Sequence, residues 1–246
     1  GGGRSRKARG RDISIDIELS FEEAVFGVDR TVLITKNSTC DTCNGSGAKP
    51  GTDMKSCETC NGQGRVREVR NSFMGQVQTV RECSVCGGTG QVPKERCGTC
   101  AGDGIVKKEE EIAVKIPAGV ENGEMIRMAG RGEAIPNGSA GDLYIKLHVK
   151  SHPHIRREGD RLYRDLHVKL SDALLGNTYS VETLDGTVDI KIPAGITHGE
   201  LLRLKGKGVP HDGSRGDFMV KVHIDLPQKL SRKARKLVEE LKAEGI

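Results

Sequence analysis

The sequence predicts a mainly β protein: two duplicated small β-sandwich-like domains, the first interrupted by a cysteine-rich β-hairpin module, and a C-terminal helix. Three observations carry this reading. The phrase C-x-x-C-x-G-x-G occurs four times and uses all eight cysteines. The seventeen residues Ile116 to Gly132 recur as Ile192 to Gly208 with nine identities. Elsewhere apolar residues alternate with polar ones at strand period, as Ile13, Ile15, Ile17 and Leu19 do.

Taken in order, residues 1–11 read as the end of a Gly/Arg linker. The alternating strand follows from Asp12. Ser20-Phe-Glu-Glu23 is a capping box that opens a short helix, and Gly27 is placed to end it. Thr31 to Thr35 is β-branched and extended, and strand character resumes after the cysteines with Ile112, Val114 and Ile116. Each copy of the long repeat continues into Gly-Asp and another alternating strand, Gly141-Asp142-Leu-Tyr-Ile and Gly216-Asp217-Phe-Met-Val. The segment from Asp165 to Ser171, with Gly176, echoes the strand, serine and glycine of the first copy. The chain therefore divides into a first domain (12–39 and 105–150), a cysteine module (40–104), a second domain (151–226) and a helical tail (227–246). In the tail Ser231 is an N-cap, and Ala234, Leu237, Val238 and Leu241 form one apolar stripe.

A C-x-x-C turn presents two thiolates to one metal ion, and four such turns complete two tetrahedral sites, with zinc the expected metal: two Zn2+ per chain. The glycines let each turn fold back at positive φ and free backbone N–H groups to face sulfur. Comparing the two domain copies locates the module. Gly27 to Ile116 spans 89 positions and Gly176 to Ile192 only 16, so about 73 residues are inserted into the first domain. Both ends of an insertion return to one sheet. That favours nested pairing: Cys40, Cys43, Cys97 and Cys100 in one site, Cys57, Cys60, Cys83 and Cys86 in the other. The module has few apolar residues of its own (Met54, Val66, Val69, Phe73, Met74, Val77, Val80), so metal supplies much of its folding energy.

Composition excludes several function classes. Net charge is +5, but Arg4, Arg6, Lys7, Arg9 and Arg11 supply all of it; without them 34 basic residues face 34 acidic ones. A neutral body with 3% aromatics lacks the basic groove and stacking platform of a nucleic-acid binder. No apolar run approaches the ~20 residues of a membrane span. Cysteines confined to C-x-x-C pairs, with no export signal, point to metal binding in a reducing cytoplasm. The seven histidines are scattered in sequence and not needed as ligands. No nucleophile motif or clustered acid–base pair is present, so the chain does not read as an enzyme. Gly130-Arg-Gly132 and Gly206-Lys-Gly208 lack the strand–loop–helix context of a phosphate loop and read as turns.

The four cysteine phrases inserted in the first of two duplicated β domains, with the I-P-A-G, G-x-G and G-D phrases, a Gly-rich lead-in and a terminal helix, resemble the bacterial-type, zinc-containing DnaJ co-chaperones over essentially the whole chain. His152-Pro153-His154 is not the His-Pro-Asp of the family's J-domain, so the resemblance is to a DnaJ core without that domain. It implies binding of unfolded or misfolded client polypeptides, prevention of aggregation, and delivery to a DnaK-type chaperone. Carried over by position, the family's client groove falls on Ile13, Val32, Ile34, Ile112 and Ile145; without the resemblance these five are ordinary core residues. It also implies a homodimer formed through the terminal helix, with Leu237, Val238 and Leu241 at the contact. The alternative is a zinc-linked thiol–disulfide oxidoreductase or isomerase, since dithiols exchange with disulfides.

Overall fold

A computed structural model describes residues 8–72, 75–211 and 213–245. Arg4, Arg6, Lys7, Phe73 and Met74, named above, lie outside the described residues. The chain runs β1 (Ile13–Leu19), α1 (Phe21–Phe26) and β2 (Val28–Thr39) into the cysteine region, which holds β3 (Met54–Ser56), β4 (Arg65–Ser72), β5 (Gly75–Glu82) and β6 (Gln91–Pro93). It returns through β7 (Ile105–Ile116), β8 (Met125–Met128) and β9 (Leu143–Val149). The second half comprises β10 (Ile155–Glu158), β11 (Arg161–Lys169), α2 (Leu170–Leu175), β12 (Asn177–Thr183), β13 (Gly186–Ile192), β14 (Leu201–Leu204), β15 (Pro210–His211), β16 (Ser214–Arg215) and β17 (Phe218–Asp225), and ends in α3 (Arg232–Ala243).

The sequence duplication is a duplication of topology. One sheet has the order β1-β9-β8, and its counterpart contains β11-β17-β14 with β10 added at the β11 edge. A second, two-stranded sheet pairs β2 with β7 in the first copy and β12 with β13 in the second. In the second copy that pair is a tight antiparallel hairpin from Asn177↔Ile192 to Thr183↔Gly186. In the first copy the whole cysteine region replaces the two-residue turn. Inside it, β3 pairs with β6 and β4 with β5, two nested antiparallel ladders.

Two compact units result. One gathers residues up to Glu18, Asp29–Lys115 and Asn122–His148; the other gathers Leu19–Val28, Ile116–Glu121 and Val149–Ile246. The segments around α1 and the Ile116-Pro-Ala-Gly phrase, assigned by sequence to the first domain, thus cluster with the second half. The second unit has an apolar core of Leu162, Val168, Val181, Ile192, Phe218, Val220 and Val222, into which α1 contributes Val25. The first unit buries Ile34, Ile112, Val114, Leu143, Ile145 and Leu147.

The helices show why local sequence matters. Ser20 Oγ accepts the Glu23 N–H at 3.2 Å while Glu23 Oε2 accepts the Ser20 N–H at 2.9 Å, the reciprocal capping box. At α2 the N-cap is Lys169, with no side-chain cap bond, and Ser171 lies inside the helix. The echo of Ser20 by Ser171 is therefore off by two residues, because Gly176 (φ 80°) aligns with Gly27 (φ 78°) and sets the register. In α3 Ser231 Oγ caps Ala234 N–H at 3.1 Å. Residues 8–11, expected as linker, are tied to the first unit: Gly10 N–H donates to Ser139 O at 2.8 Å, and Ser139 N–H to Ala8 O at 3.1 Å. A Cβ on Gly10 would stand 1.8 Å from Glu133 O, so this approach requires glycine.

Candidate metal centres and peptide groove

Each C-x-x-C phrase folds into the same knuckle, and knuckles associate in twos. Cys40 N–H donates to Gly104 O and Cys97 N–H to Gly47 O, both at 2.9 Å. Cys57 N–H to Gly90 O and Cys83 N–H to Gly64 O repeat the exchange, again at 2.9 Å. The last glycine of each phrase permits this close approach: a Cβ on Gly47, Gly64, Gly90 or Gly104 would fall 2.2 to 2.4 Å from a carbonyl oxygen of the paired knuckle. The same glycines donate their N–H groups to the second cysteine of their own knuckle, as Gly47 does to Cys43 Sγ at 3.3 Å and Gly64 to Cys60 Sγ at 3.2 Å.

The structure so brings Cys40, Cys43, Cys97 and Cys100 together, and separately Cys57, Cys60, Cys83 and Cys86, all eight buried. Across the first site Sγ separations are 4.0 Å (Cys40–Cys97) and 3.7 Å (Cys43–Cys100). Across the second they are 3.9 Å (Cys57–Cys83) and 3.8 Å (Cys60–Cys86). Tetrahedral bonds of about 2.3 Å from zinc would set sulfurs about 3.8 Å apart, whereas a disulfide needs about 2.05 Å. The donors therefore fit a tetrahedral metal ion. Electrostatics agree. Burial opposes ionisation of Cys57, yet the N–H groups of Cys60 and Thr59 outweigh it and bring the thiol down to about 7. Burial pushes Cys60 up to about 11 in spite of the Gly64 N–H. Four thiolates packed this closely require a cation between them.

The groove residues fall on four strands. Ile13 on β1 and Val32 on β2 are half-buried. Ile34 is 8% exposed, Ile112 on β7 2%, and Ile145 on β9 0%. The last three sit in the core and offer a peptide little or no surface in this conformation. β1 ends its sheet, and β2 has β7 as its one neighbour among the described residues, so both strands have an open edge. Sequence reasoning passed over Leu33, on the opposite face of β2 and 60% exposed.

It also missed what β2 does beyond Ile34. The inward row Val32, Ile34 continues as Lys36 and Ser38, both 5% exposed. Lys36 Nζ sits 2.9 Å from Glu110 Oε2 and donates to Gly132 O at 3.2 Å; Ser38 Oγ donates to Glu110 at 2.9 Å. The Lys36 hydrogen bond holds the Glu110 carboxyl below the usual carboxylate range. These groups line a polar cavity of about 290 Å³ where β2 and β7 lead into the cysteine module. A lysine at a core-facing register position was the available signal.

The glycine phrases are turns closed by a carboxylate. Gly130 N–H donates to Asp142 Oδ1 at 2.9 Å and Gly206 N–H to Asp217 Oδ1 at 3.0 Å. An aspartate already occupies the place a phosphate would take. In His152-Pro153-His154 the His152 Nδ1 accepts the N–H groups of His154 and Ile155 at 3.1 and 3.0 Å, a turn cap. Three histidines scattered in sequence gather on the second unit: His223 lies 5.4 Å from His167 and 5.1 Å from His198, ring centre to ring centre. No helix among the described residues is long and apolar enough to cross a membrane.

Comparison with known proteins agrees with this geometry. The family model described as "DnaJ C terminal domain" matches residues 13–227. A protein named "Chaperone protein DnaJ" from Halalkalibacterium halodurans is 44% identical over 246 residues, covering 98% of this chain and 66% of that protein. Proteins of the same name from Oceanobacillus iheyensis (43% over 252 residues, 100% and 67%) and Methanothermobacter thermautotrophicus (41% over 243 residues, 98% and 65%) match along the same span. The chain spans about two thirds of the length of these relatives. With the model matched across both β domains and the relatives aligned over nearly every residue, the chain belongs to the DnaJ C-terminal domain family.

Proposed function

We propose that this chain is the client-binding core of a cytoplasmic co-chaperone that holds unfolded or misfolded polypeptides, keeps them from aggregating, and passes them to a DnaK-type partner. The observation that carries the reading is an open β2 edge beside half-buried aliphatic side chains, in a chain whose relatives are named chaperones. An extended client adds as a strand, its backbone pairing with the edge and alternate side chains resting on Val32 and Ile13. Ile34, Ile112 and Ile145 form the floor. Contacts so few and so aliphatic give weak, unselective binding, which suits handover. Zinc fills both four-cysteine sites and holds the module that projects between β2 and β7. Copies pair through the α3 stripe of Leu237, Val238 and Leu241, which joins two weak client sites and raises avidity. The thiol–disulfide alternative finds no support in the relatives, all named chaperones.

The test is aggregation suppression of a chemically denatured client. The burial pattern selects the variant: charges at Ile34 or Ile112 would unfold the domain, so Ile13→Ser with Val32→Ser is used, its fold checked by circular dichroism. Suppression is expected to fall at least several-fold. Equal suppression by the folded double variant would sink the groove assignment.

A further inference from the structure

Within the unit of Leu19–Val28, Ile116–Glu121 and Val149–Ile246 one local assembly is built twice. In the first, α1 ends at Gly27 and the Gly119 N–H donates back to Ala24 O at 2.9 Å. In the second, α2 ends at Gly176 and the Gly195 N–H donates back to Ala173 O at 2.8 Å. Helix, glycine stop and I-P-A-G loop correspond residue by residue.

The two copies differ in what covers them. Over the first, Val25 and Val120 are 1% and 3% exposed. Arg157 donates to Val120 O at 2.7 Å and Gly119 O at 2.8 Å, and Arg215 lies 5.3 Å above the Phe26 ring. A Cβ on Gly119 would meet Val209 and Pro210 at 3.3 Å. The second copy is bare. Leu174, in the place of Val25, is 43% exposed, and Leu175, in the place of Phe26, is 82% exposed. A Cβ on Gly195 would meet nothing within 4 Å. A cavity of about 530 Å³, lined by Leu175, Lys191, Ile192, Pro193 and Ala194, adjoins it.

The cover of the first copy includes the segment that leaves β9: Ile155, 3% exposed, and Arg157 two residues later. The segment that leaves β17 has the same spacing, with Leu230 and Arg232 each 75 residues on. It is unpartnered: Leu226 is 70% and Leu230 41% exposed, and α3 buries no residue.

We propose that the bare α2 assembly receives the 226–232 segment of a second copy of this chain, with Leu230 seated against Leu174 and Leu175 and Arg232 on the carbonyls of the 195–196 loop. One chain carries both an empty seat and an unseated segment shaped like the one that fills the equivalent seat. Two copies exchanging segments satisfy both at once and close as a two-fold dimer. The proposal rests on the self-association part of the function above and names the surface that receives the partner.

The experiment is sedimentation equilibrium of the zinc-loaded full chain, of Leu175→Asp, of Leu230→Asp, and of their equimolar mixture. Both substitutions fall on exposed side chains, so folding is retained and checked by circular dichroism. The wild type is expected to be dimeric at micromolar concentration, and each variant to weaken association at least 100-fold. The mixture is expected to recover part of it, because one intact seat meets one intact segment. A monomeric wild type, a Leu175→Asp variant that dimerises as the wild type does, or a mixture that stays monomeric overturns the proposal. So does amide-exchange protection at 174–176 that survives dilution to monomer, since the chain's own segment then covers the seat. Client binding is read separately: loss of aggregation suppression in a dimeric Ile13→Ser, Val32→Ser protein leaves this proposal intact, and monomers that still suppress aggregation leave the client reading intact.

Discussion

At the residue scale, the knuckles show how much chemistry one backbone angle carries. Asn44 and Asn61, directly after the second cysteine of their phrases, sit at φ 49°, and Ala101 holds the same place at φ 53°. Asparagine tolerates this left-handed conformation, whereas alanine meets its own carbonyl, at a cost of roughly 1 kcal/mol. Ala101→Asn is therefore expected to raise stability by about 0.5–1 kcal/mol in denaturant titration of the metal-loaded protein. Gly104→Ala has the opposite sign: its Cβ would lie 2.4 Å from Gly45 O, and a loss of roughly 1–3 kcal/mol is expected. Asp142 supplies a pH signature. The Gly130 N–H, opposed by burial and helped by Arg127 and Arg9, brings its carboxyl down to about 2 from the ordinary 3.8. A depressed folded value means its stabilisation is complete above the ordinary value and lost as pH falls through the folded one. The stability gap between wild type and Asp142→Asn should be constant above about pH 4.5 and close towards pH 2. A gap that does not narrow there would show the carboxylate is not the stabilising species.

At the element scale, α1 and α2 are six-residue helices too short to stand without tertiary support. They differ in their caps. Replacing Lys169 by Ser should give α2 the cap that Ser20 gives α1, worth about 0.5–1 kcal/mol. Thermal melting of Lys169→Ser checks it, and an unchanged midpoint would mean that packing alone sets this helix boundary. Sequence patterns revealed α1 through its capping box and α3 through Ser231 and the stripe that follows. They misplaced the start of α2 because no capping side chain announces it. Strand alternation located β1 and β9 correctly. It left the interior of β2 half read, since Lys36 and Ser38 are polar residues made core-compatible by Glu110, 74 positions away from Lys36.

At the scale of the whole molecule, the two units rest on different physics. The second is held by an apolar core centred on Leu162 and Phe218. The cysteine region clusters around its sulfurs, with only Val106 packed on one site and Val66 and Val92 on the other. Removing metal should therefore unfold the module and spare the second unit. Amide exchange with excess chelator is expected to release protection across 57–104 while β11 and β17 keep theirs. Uniform loss across both would mean that the two fold as one cooperative body.

The repeats by themselves determined the duplicated β architecture, the insertion point of the cysteine module and the grouping expected of its eight ligands. Each follows from chain connectivity, which period and spacing record directly. Tertiary structure decided what depends on neighbours distant in sequence. It put Ile112 and Ile145 in the floor of the first domain, tied Ala8 and Gly10 to Ser139, and gathered His167, His198 and His223 on one face. It also left Leu174 and Leu175 exposed where Val25 and Phe26 are covered. Exposure is a property of what lies opposite a side chain, and no local pattern encodes what will be there.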